Sequence, residues 1–389
     1  MRRGDWSLSA VTAGFLAVLV SYSGPLVIFY QAAQAGHMPA DMFASWVWGI
    51  SIGAALSGMY LSWKLRIPVI TAWSAPGTAL LISLFPAISM HEVVGAYITA
   101  ALIILAIGMS GYFEKLVACI PRGIASGMMA GILFQFGLNA FKAVTTLPLL
   151  ALGMIAAYFV FKRMLPRYCI VLLLAFGVVL AALMGQMQGA NIRLELVAPR
   201  LISPEWSWTS TFSLALPLVL TTLTGQYLPG MAVLNTSGYP SPMRPIITVN
   251  SIASVFVAMF GGITIAIAAI TAAICTGNDA HEDPAKRYIA GIANGLFYLI
   301  GGLFGGTLVL LFAALPKELI AVLAGMALLG AIMVNLGGIV AAEDHRDASL
   351  VTFVATASGM SFLGLGSAFW GIVIGMAAYA LLHHKPARR

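Results

Sequence analysis

Ser74-Ala75-Pro76-Gly77-Thr78 follows directly on Ile67-Pro68-Val69-Ile70-Thr71-Ala72-Trp73, a stretch of extended character. Serine is a good N-cap, and proline in a first helical turn has no donor to lose. The pattern predicts an extended half-segment that feeds a half-helix starting at Ser74. A related run, Ile263-Thr264-Ile265-Ala266-Ile267-Ala268-Ala269-Ile270, is followed by Thr271-Ala272-Ala273-Ile274 and predicts a second half-helix starting at Thr271. Extended backbone in lipid must have its polar groups paired inside the protein, and two such half-strands can pair with each other. The half-helices would then aim their N-termini at a common point. Free N–H groups and positive helix ends attract a carboxylate there without any cationic side chain. Helix capping alone also accounts for Ser74 and Thr271; their equivalent places in the two halves of the chain favour a site.

Two prolines raise the same question. Ser21-Tyr22-Ser23-Gly24 precedes Pro25, and Thr224-Gly225-Gln226-Tyr227-Leu228 precedes Pro229. A kink alone would explain the prolines. It does not explain an amide and two phenols at that depth, where polar groups are costly unless used. Gln226, Tyr22 and Tyr227 are therefore candidate lining residues. Trp73 either stacks on an aromatic ligand or simply packs. The acids and histidines are informative by position, because all thirteen Asp and Glu and all six His fall at predicted segment ends or in loops. That disfavours an intramembrane enzyme working through paired acids or a metal, and it assigns no metal and no cofactor. The densest polar motif, Thr276-Gly277-Asn278-Asp279-Ala280-His281-Glu282-Asp283-Pro284-Ala285-Lys286-Arg287, reads as a helix stop followed by a proline-started helix. Metal binding there is the weaker reading. Coupling through Asp279 or Glu282 is open, but a continuing helix would put them more than about 10 Å from the Thr271 level.

The elements that must carry these residues follow from composition. Of 389 residues, 60% are apolar and 8% charged, against about 25% charged in an ordinary globular protein. A soluble multidomain enzyme and a disordered chain are excluded, and the alternating strands of a membrane β-barrel would dilute the apolar content. An all-α polytopic membrane protein remains. The net charge of +7 reads as positive loops that set orientation, not as a nucleic-acid surface. The N-terminal apolar run continues past Gly24-Pro25 without a convincing cleavage site and reads as a retained first span. Spans are predicted near 10–34, 41–62, 68–85, 91–113, 120–140, 144–161 and 168–186, then near 211–235, 243–261, 263–278, 286–313, 317–341, 348–363 and 366–383. That makes fourteen, seven on each side of a polar connection at 187–210, with spans 3 and 10 part strand and part helix. With the N-terminus in the cytoplasm, sixteen of the twenty Lys and Arg face inside, and only Lys142, Arg193, Arg200 and Lys317 face outside. Both termini are then cytoplasmic.

Seven spans per half would give two homologous halves opposite orientations. Weak internal similarity agrees: Leu116-Val117-Ala118-Cys119-Ile120-Pro121-Arg122 reads like Leu311-Phe312-Ala313-Ala314-Leu315-Pro316-Lys317, and Ser23-Gly24-Pro25 is mirrored by Tyr227-Leu228-Pro229. An inverted repeat is the architecture of many secondary transporters. The three cysteines, Cys119, Cys169 and Cys275, match no metal spacing and read as packing residues without disulfides.

Thr71-Ala72-Trp73-Ser74-Ala75-Pro76-Gly77-Thr78-Ala79-Leu80, Gly225-Gln226-Tyr227-Leu228-Pro229-Gly230 and the Thr276–Arg287 motif resemble the benzoate:proton symporter family, over nearly the whole chain. This family looks like a branch of the fold used by uracil, ascorbate and sulfate/bicarbonate transporters. The resemblance implies a core domain from spans 1–4 (residues 1–116) and 8–11 (residues 211–314). It implies a gate domain from spans 5–7 (117–190) and 12–14 (315–389), with 191–210 as the extracytoplasmic connection. It places a substrate site between spans 1, 3, 8 and 10, which on this chain means Tyr22, Ser23, Gly24, Trp73, Ser74, Ala75, Gln226, Tyr227, Thr271 and Ala272. Gln226 and Thr271 stand where the uracil carriers keep acids, and an anionic ligand would be repelled by a carboxylate. The expected function is import of benzoate or a close aromatic carboxylate with a proton, across a bacterial-type inner membrane. The partners are thus that small aromatic carboxylate, the proton and the lipid bilayer, with no nucleic acid and with a homodimer left open. Exchange of small inorganic anions or carriage of nucleobases is the alternative within transport. A membrane-embedded enzyme or an uncoupled channel is the alternative outside it.

Overall fold

A computed structural model describes residues 6–85, 87–118, 120–166, 168–187 and 193–383. Cys119 and the cations Arg2, Arg3, Arg167, Lys385, Arg388 and Arg389 lie outside them. The chain opens with α1 (Leu8–Ser23) and α2 (Pro25–Ala35), which together form one apolar span interrupted at Gly24. Pro25 starts α2, where its missing donor is harmless. α3 (Ala40–Leu65) leads to β1 (Thr71–Trp73) and the short α4 (Ala75–Leu84). α5 (Met90–Ser110) begins with a capping box between Ser89 and Glu92. A brief α6 (Phe113–Ala118) precedes α7 (Arg122–Lys142), α8 (Pro148–Met164) and α9 (Cys169–Leu183).

The second half again carries a short strand followed by a short helix. Its first rod joins α10 (Trp208–Ser210), α11 (Leu216–Thr222) and α12 (Leu228–Thr236) through two π-turns, Thr211–Ala215 and Leu223–Tyr227. Then come α13 (Met243–Ala258), β2 (Ile265–Ile267) and α14 (Ala269–Thr276). α15 (Tyr288–Leu303) and α16 (Gly305–Ala313) meet at a bend of 68°. α17 (Lys317–Ala341), α18 (Arg346–Ala357) and α19 (Ser367–His383) complete the chain.

The expected break at Pro229 takes a different form. The helix runs on through it, unlike the interruption at Pro25. A proline ring clashes with the carbonyl four residues earlier, which for Pro217 is Ser213 and for Pro229 is Gly225. Both carbonyls lie inside a π-turn, where the wider winding relieves the clash.

Among the described residues, five helical segments are long and apolar enough to cross a membrane: Leu8–Ala35, Ala40–Leu65, Met90–Ser110, Arg122–Thr145 and Lys317–Ala341. The bent α15–α16 pair, with its preceding turn, is a sixth. Helix length therefore establishes a polytopic helical fold without fixing fourteen crossings. Packing falls into two sets. α3 lies along α15 and α13, α1 along α15 and α14, α5 along α13, and α2 along α4. Separately, α7 lies along α17 and α18, α18 along α19, and α8 along α9 and α17. The connection before α10 runs extended over the first set, with the N–H groups of Val197, Ile202 and Glu205 donating to Leu303 O (3.0 Å), Met259 O (2.8 Å) and His91 O (2.9 Å).

Candidate binding site at the paired half-helices

The two half-strands pair with each other. β1 and β2 run antiparallel, with Thr71 opposite Ile267, Ala72 opposite Ala266 and Trp73 opposite Ile265. The ladder extends at both ends, Ser74 N donating to Thr264 O and Ala268 N to Ile70 O, each at 3.0 Å. Serines on neighbouring helices satisfy backbone groups outside the ladder. Ser62 Oγ accepts from Val69 N (3.2 Å) and donates to Val69 O (3.0 Å), while Ser254 Oγ accepts from Ile265 N (2.8 Å). Thr71 Oγ1 donates to Ala54 O of α3 at 2.7 Å. Much of the buried extended backbone is thereby engaged, as a lipid-embedded segment requires.

Antiparallel pairing leaves α4 and α14 departing from opposite ends of the ribbon, so both N-termini face its centre. The caps Ser74 and Ala268 lie opposite Thr264 and Ile70, four residue steps apart, about 13 Å along the ribbon at ~3.3 Å per residue. Ser74 caps α4, its Oγ accepting from Gly77 N at 3.1 Å. The second helix starts earlier than the sequence suggests. Its cap is Ala268, so Thr271 sits within the first turn and its hydroxyl donates back to Ala268 O at 3.4 Å. Ala272 N likewise donates to Ala268 O at 2.8 Å, and its side chain is buried. The chemistry at this end of α14 is therefore backbone N–H groups from Ala269 to Thr271, with no side-chain cap.

The aromatic residues gather only in part as expected. Tyr22 stacks on Trp73 with ring centroids 5.9 Å apart, and its hydroxyl hydrogen-bonds Ser51 Oγ at 2.8 Å. Tyr298 of α15, which sequence reasoning missed, meets both rings edge-on at 5.7 and 5.9 Å. Tyr227 meets the ribbon through β2 and contacts a different ring. It is fully buried, meets Phe113 edge-on at 6.2 Å, and donates to Ile265 O at 3.4 Å. Through Ile265, the residue paired with Trp73, its hydroxyl ties the rod to β2. Ser23 is buried with its hydroxyl returned to Val20 O at 3.2 Å, so it offers no free donor. Gly24 N donates to Val20 O at 3.1 Å. Ala75 begins α4 and is half-buried.

Gln226 lies in the π-turn of the rod, half-buried, with Oε1 out of solvent and without a hydrogen-bond partner among the described residues. Trp73 Nε1 is in the same condition. Two unpaired polar atoms within this group of elements are costly unless a ligand or water meets them. A phenol in the glycine-rich helix around Tyr298 was a signal open to sequence reading, by the same rule that singled out Tyr22.

The polar Thr276–Arg287 motif folds as a helix stop. α14 ends at Thr276, and buried Arg287 gathers the turn, donating to Thr276 O (2.7 Å), His281 O (2.7 Å) and Asn278 Oδ1 (2.5 Å). Asp283 caps the following Pro284–Lys286 turn. Among the described residues no three of His, Cys, Asp and Glu come together as a metal site.

This arrangement recurs in known structures. The chain aligns with the anion-carrier SLC26A9 at a TM-score of 0.70 and 15% identity, over 98% of this chain and 66% of that one. It aligns with the transmembrane domain of the cyanobacterial bicarbonate transporter BicA at a TM-score of 0.57 and 16% identity, over 95% and 96%. These likenesses show the fold, that of a multi-pass helical membrane protein. The model of the benzoate membrane transport protein family matches residues 4–381. The chain belongs to that family. It is 58% identical to the benzoate membrane transport protein of Acinetobacter baylyi over 378 residues, 97% of this chain and 96% of that one. It is 36% identical to the inner membrane protein YdcO of Escherichia coli over 371 residues, 95% of each. A chain of this family is a carrier and not an enzyme.

Proposed function

We propose that this protein imports benzoate or a close aromatic carboxylate together with a proton, by alternating access across a bacterial inner membrane. The carboxylate meets the N-termini of α4 and α14, and Gln226 donates a hydrogen bond through its amide. The aromatic ring lies against Tyr22, Trp73 and Tyr298. The observation that carries this reading is the β1–β2 ribbon, which directs two helix N-termini at a region with no carboxylate of its own. Backbone N–H groups there stabilise a negative charge.

The wider arrangement belongs to the same proposal. Fourteen crossings form a seven-plus-seven inverted repeat with both termini cytoplasmic. The repeat is supported by the matching order of strand and half-helix in the two halves and by the charge bias of the loops. The first packing set, residues 1–116 and 211–314, is the core that carries the site. The second, residues 117–190 and 315–389, is the gate against which it moves, with residues 191–210 as the outer connection.

Radiolabelled benzoate uptake into proteoliposomes, with and without an inward proton gradient, tests both parts. Uptake stimulated by the gradient is expected; uptake indifferent to it would remove the proton, and no uptake would remove the substrate. Competition by aromatic acids, but not by bicarbonate or uracil, separates this reading from other anions and from nucleobases. Gln226→Glu places a negative charge beside the carboxylate and should weaken benzoate binding at least tenfold.

A further inference from the structure

Lys317 stands at two electrostatically unfavourable places at once. It opens α17, so its charge adds to the positive end of a 25-residue helix, where anions are favoured and cations are not. It also lies on the face that the loop charges assign to the outside, where cations are scarce. Two of the other cations on that face are paired, Arg193 with Glu195 at 3.4 Å and Arg200 with Asp41. Lys142 closes α7, where a helix C-terminus accommodates it. Lys317 is exposed and has no ion pair among the described residues.

What surrounds Lys317 is a cavity of about 800 Å³. It is lined by Gln31 and Gln34 of α2, Gln186 after α9, and Tyr30, whose ring stacks on Phe312 at 5.8 Å. Pro316 caps α17 without a side-chain hydrogen bond, so the first N–H groups of the helix are free at the same wall. One cation, three amides and an aromatic face suit a carboxylate attached to an apolar ring. Glu318, half-buried on the same wall, opposes that attraction. The cavity lies between α2 of the first packing set and α9 and α17 of the second. Tyr30 is six residues from Gly24, about 9 Å along the helix at ~1.5 Å per residue.

We propose that this cavity is a second, outer binding site for the aromatic carboxylate, with Lys317 as its charge contact, and that it captures the substrate before the half-helix site. The inference rests on the function and sidedness proposed above. Initial rates of benzoate uptake into right-side-out vesicles test it. Lys317→Gln should raise KM roughly three- to tenfold at low salt with Vmax kept, and Lys317→Arg should restore it. Added salt should raise the KM of the wild type but not of Lys317→Gln. Glu318→Gln should lower KM. Lys317→Cys gives a test within one folded population. Modification from outside by a cationic methanethiosulfonate should lower its KM and an anionic one raise it. The inference is overturned by an unchanged KM in Lys317→Gln, or by a cysteine response blind to reagent charge. Absence of wild-type uptake would instead refute the substrate itself.

Discussion

Tyr22 can reach Trp73 and Ser51 only because residue 301 is glycine. A methyl group built there would overlap the Tyr22 ring and hydroxyl. Gly301→Ala should therefore push the phenol off Ser51, lose a hydrogen bond of about 1 kcal/mol and open the stacked pair. We expect benzoate affinity to fall about tenfold, ~1.4 kcal/mol, with the melting temperature of the purified carrier falling by only a few degrees. Isothermal titration on both proteins checks this, and equal affinities would mean that Tyr22 does not line the site. At this scale residue type out of place for its depth singled out Gln226, whose Oε1 is unpaired among the described residues, and Tyr22, which stacks on Trp73. It did not show that the hydroxyls of Tyr227 and Ser23 return to Ile265 O and Val20 O. Residue type reports that a polar group needs a partner; only three-dimensional packing decides whether that partner is a ligand or a neighbouring carbonyl.

The half-strands were legible as elements because hydrophobic β-branched runs ending in a helix start cannot remain unpaired in lipid. Their mutual register was not, since nothing local distinguishes Ala72 opposite Ala266 from a slipped pairing. What fixes it lies outside the ladder. Ser254 Oγ accepts from Ile265 N and also donates to Asn250 O at 2.7 Å, tying β2 to α13 at one height. Ser254→Ala orphans a buried N–H group, a cost of about 2 kcal/mol. The melting temperature in detergent should fall by several degrees, and Ser254→Thr should recover most of the loss. An unchanged melting temperature would show that the strand does not depend on this anchor. The π-turns were also invisible in the sequence. Pro217 and Pro229 signal a disturbance, but whether a helix breaks or widens depends on what surrounds it. At Gly225 a Cβ would already crowd Met129 Cε at 2.7 Å, so the widened turn lies close against α7.

For the whole molecule, alternating access requires the two packing sets to separate along one seam. The interruption at Gly24 lies on that seam. A Cβ built on Gly24 falls 3.4 Å from Ala327 Cβ of α17 and 3.6 Å from Ile170 Cγ2 of α9. The outer cavity at Lys317 lies beyond one end of this contact. Beyond the other lies a cavity of about 370 Å³ lined by Ser9, Thr12, Tyr168 and Asp279. A contact with a cavity at each end is where two bodies must part if either cavity is to reach the half-helices. Gly24→Cys with Ala327→Cys brings the two Cβ atoms near the ~3.5–4.5 Å of a disulfide without moving either helix. Cys169 and Cys275 are buried and should not compete for the cross-link, and the pair is built in a Cys119→Ser background. Oxidation is expected to stop benzoate uptake and reduction to restore it, while each single variant keeps transport under oxidising conditions. A cross-linked carrier that still transported at the reduced rate would rule out separation at Gly24. Movement would then have to occur within one packing set, contrary to the division of the helices.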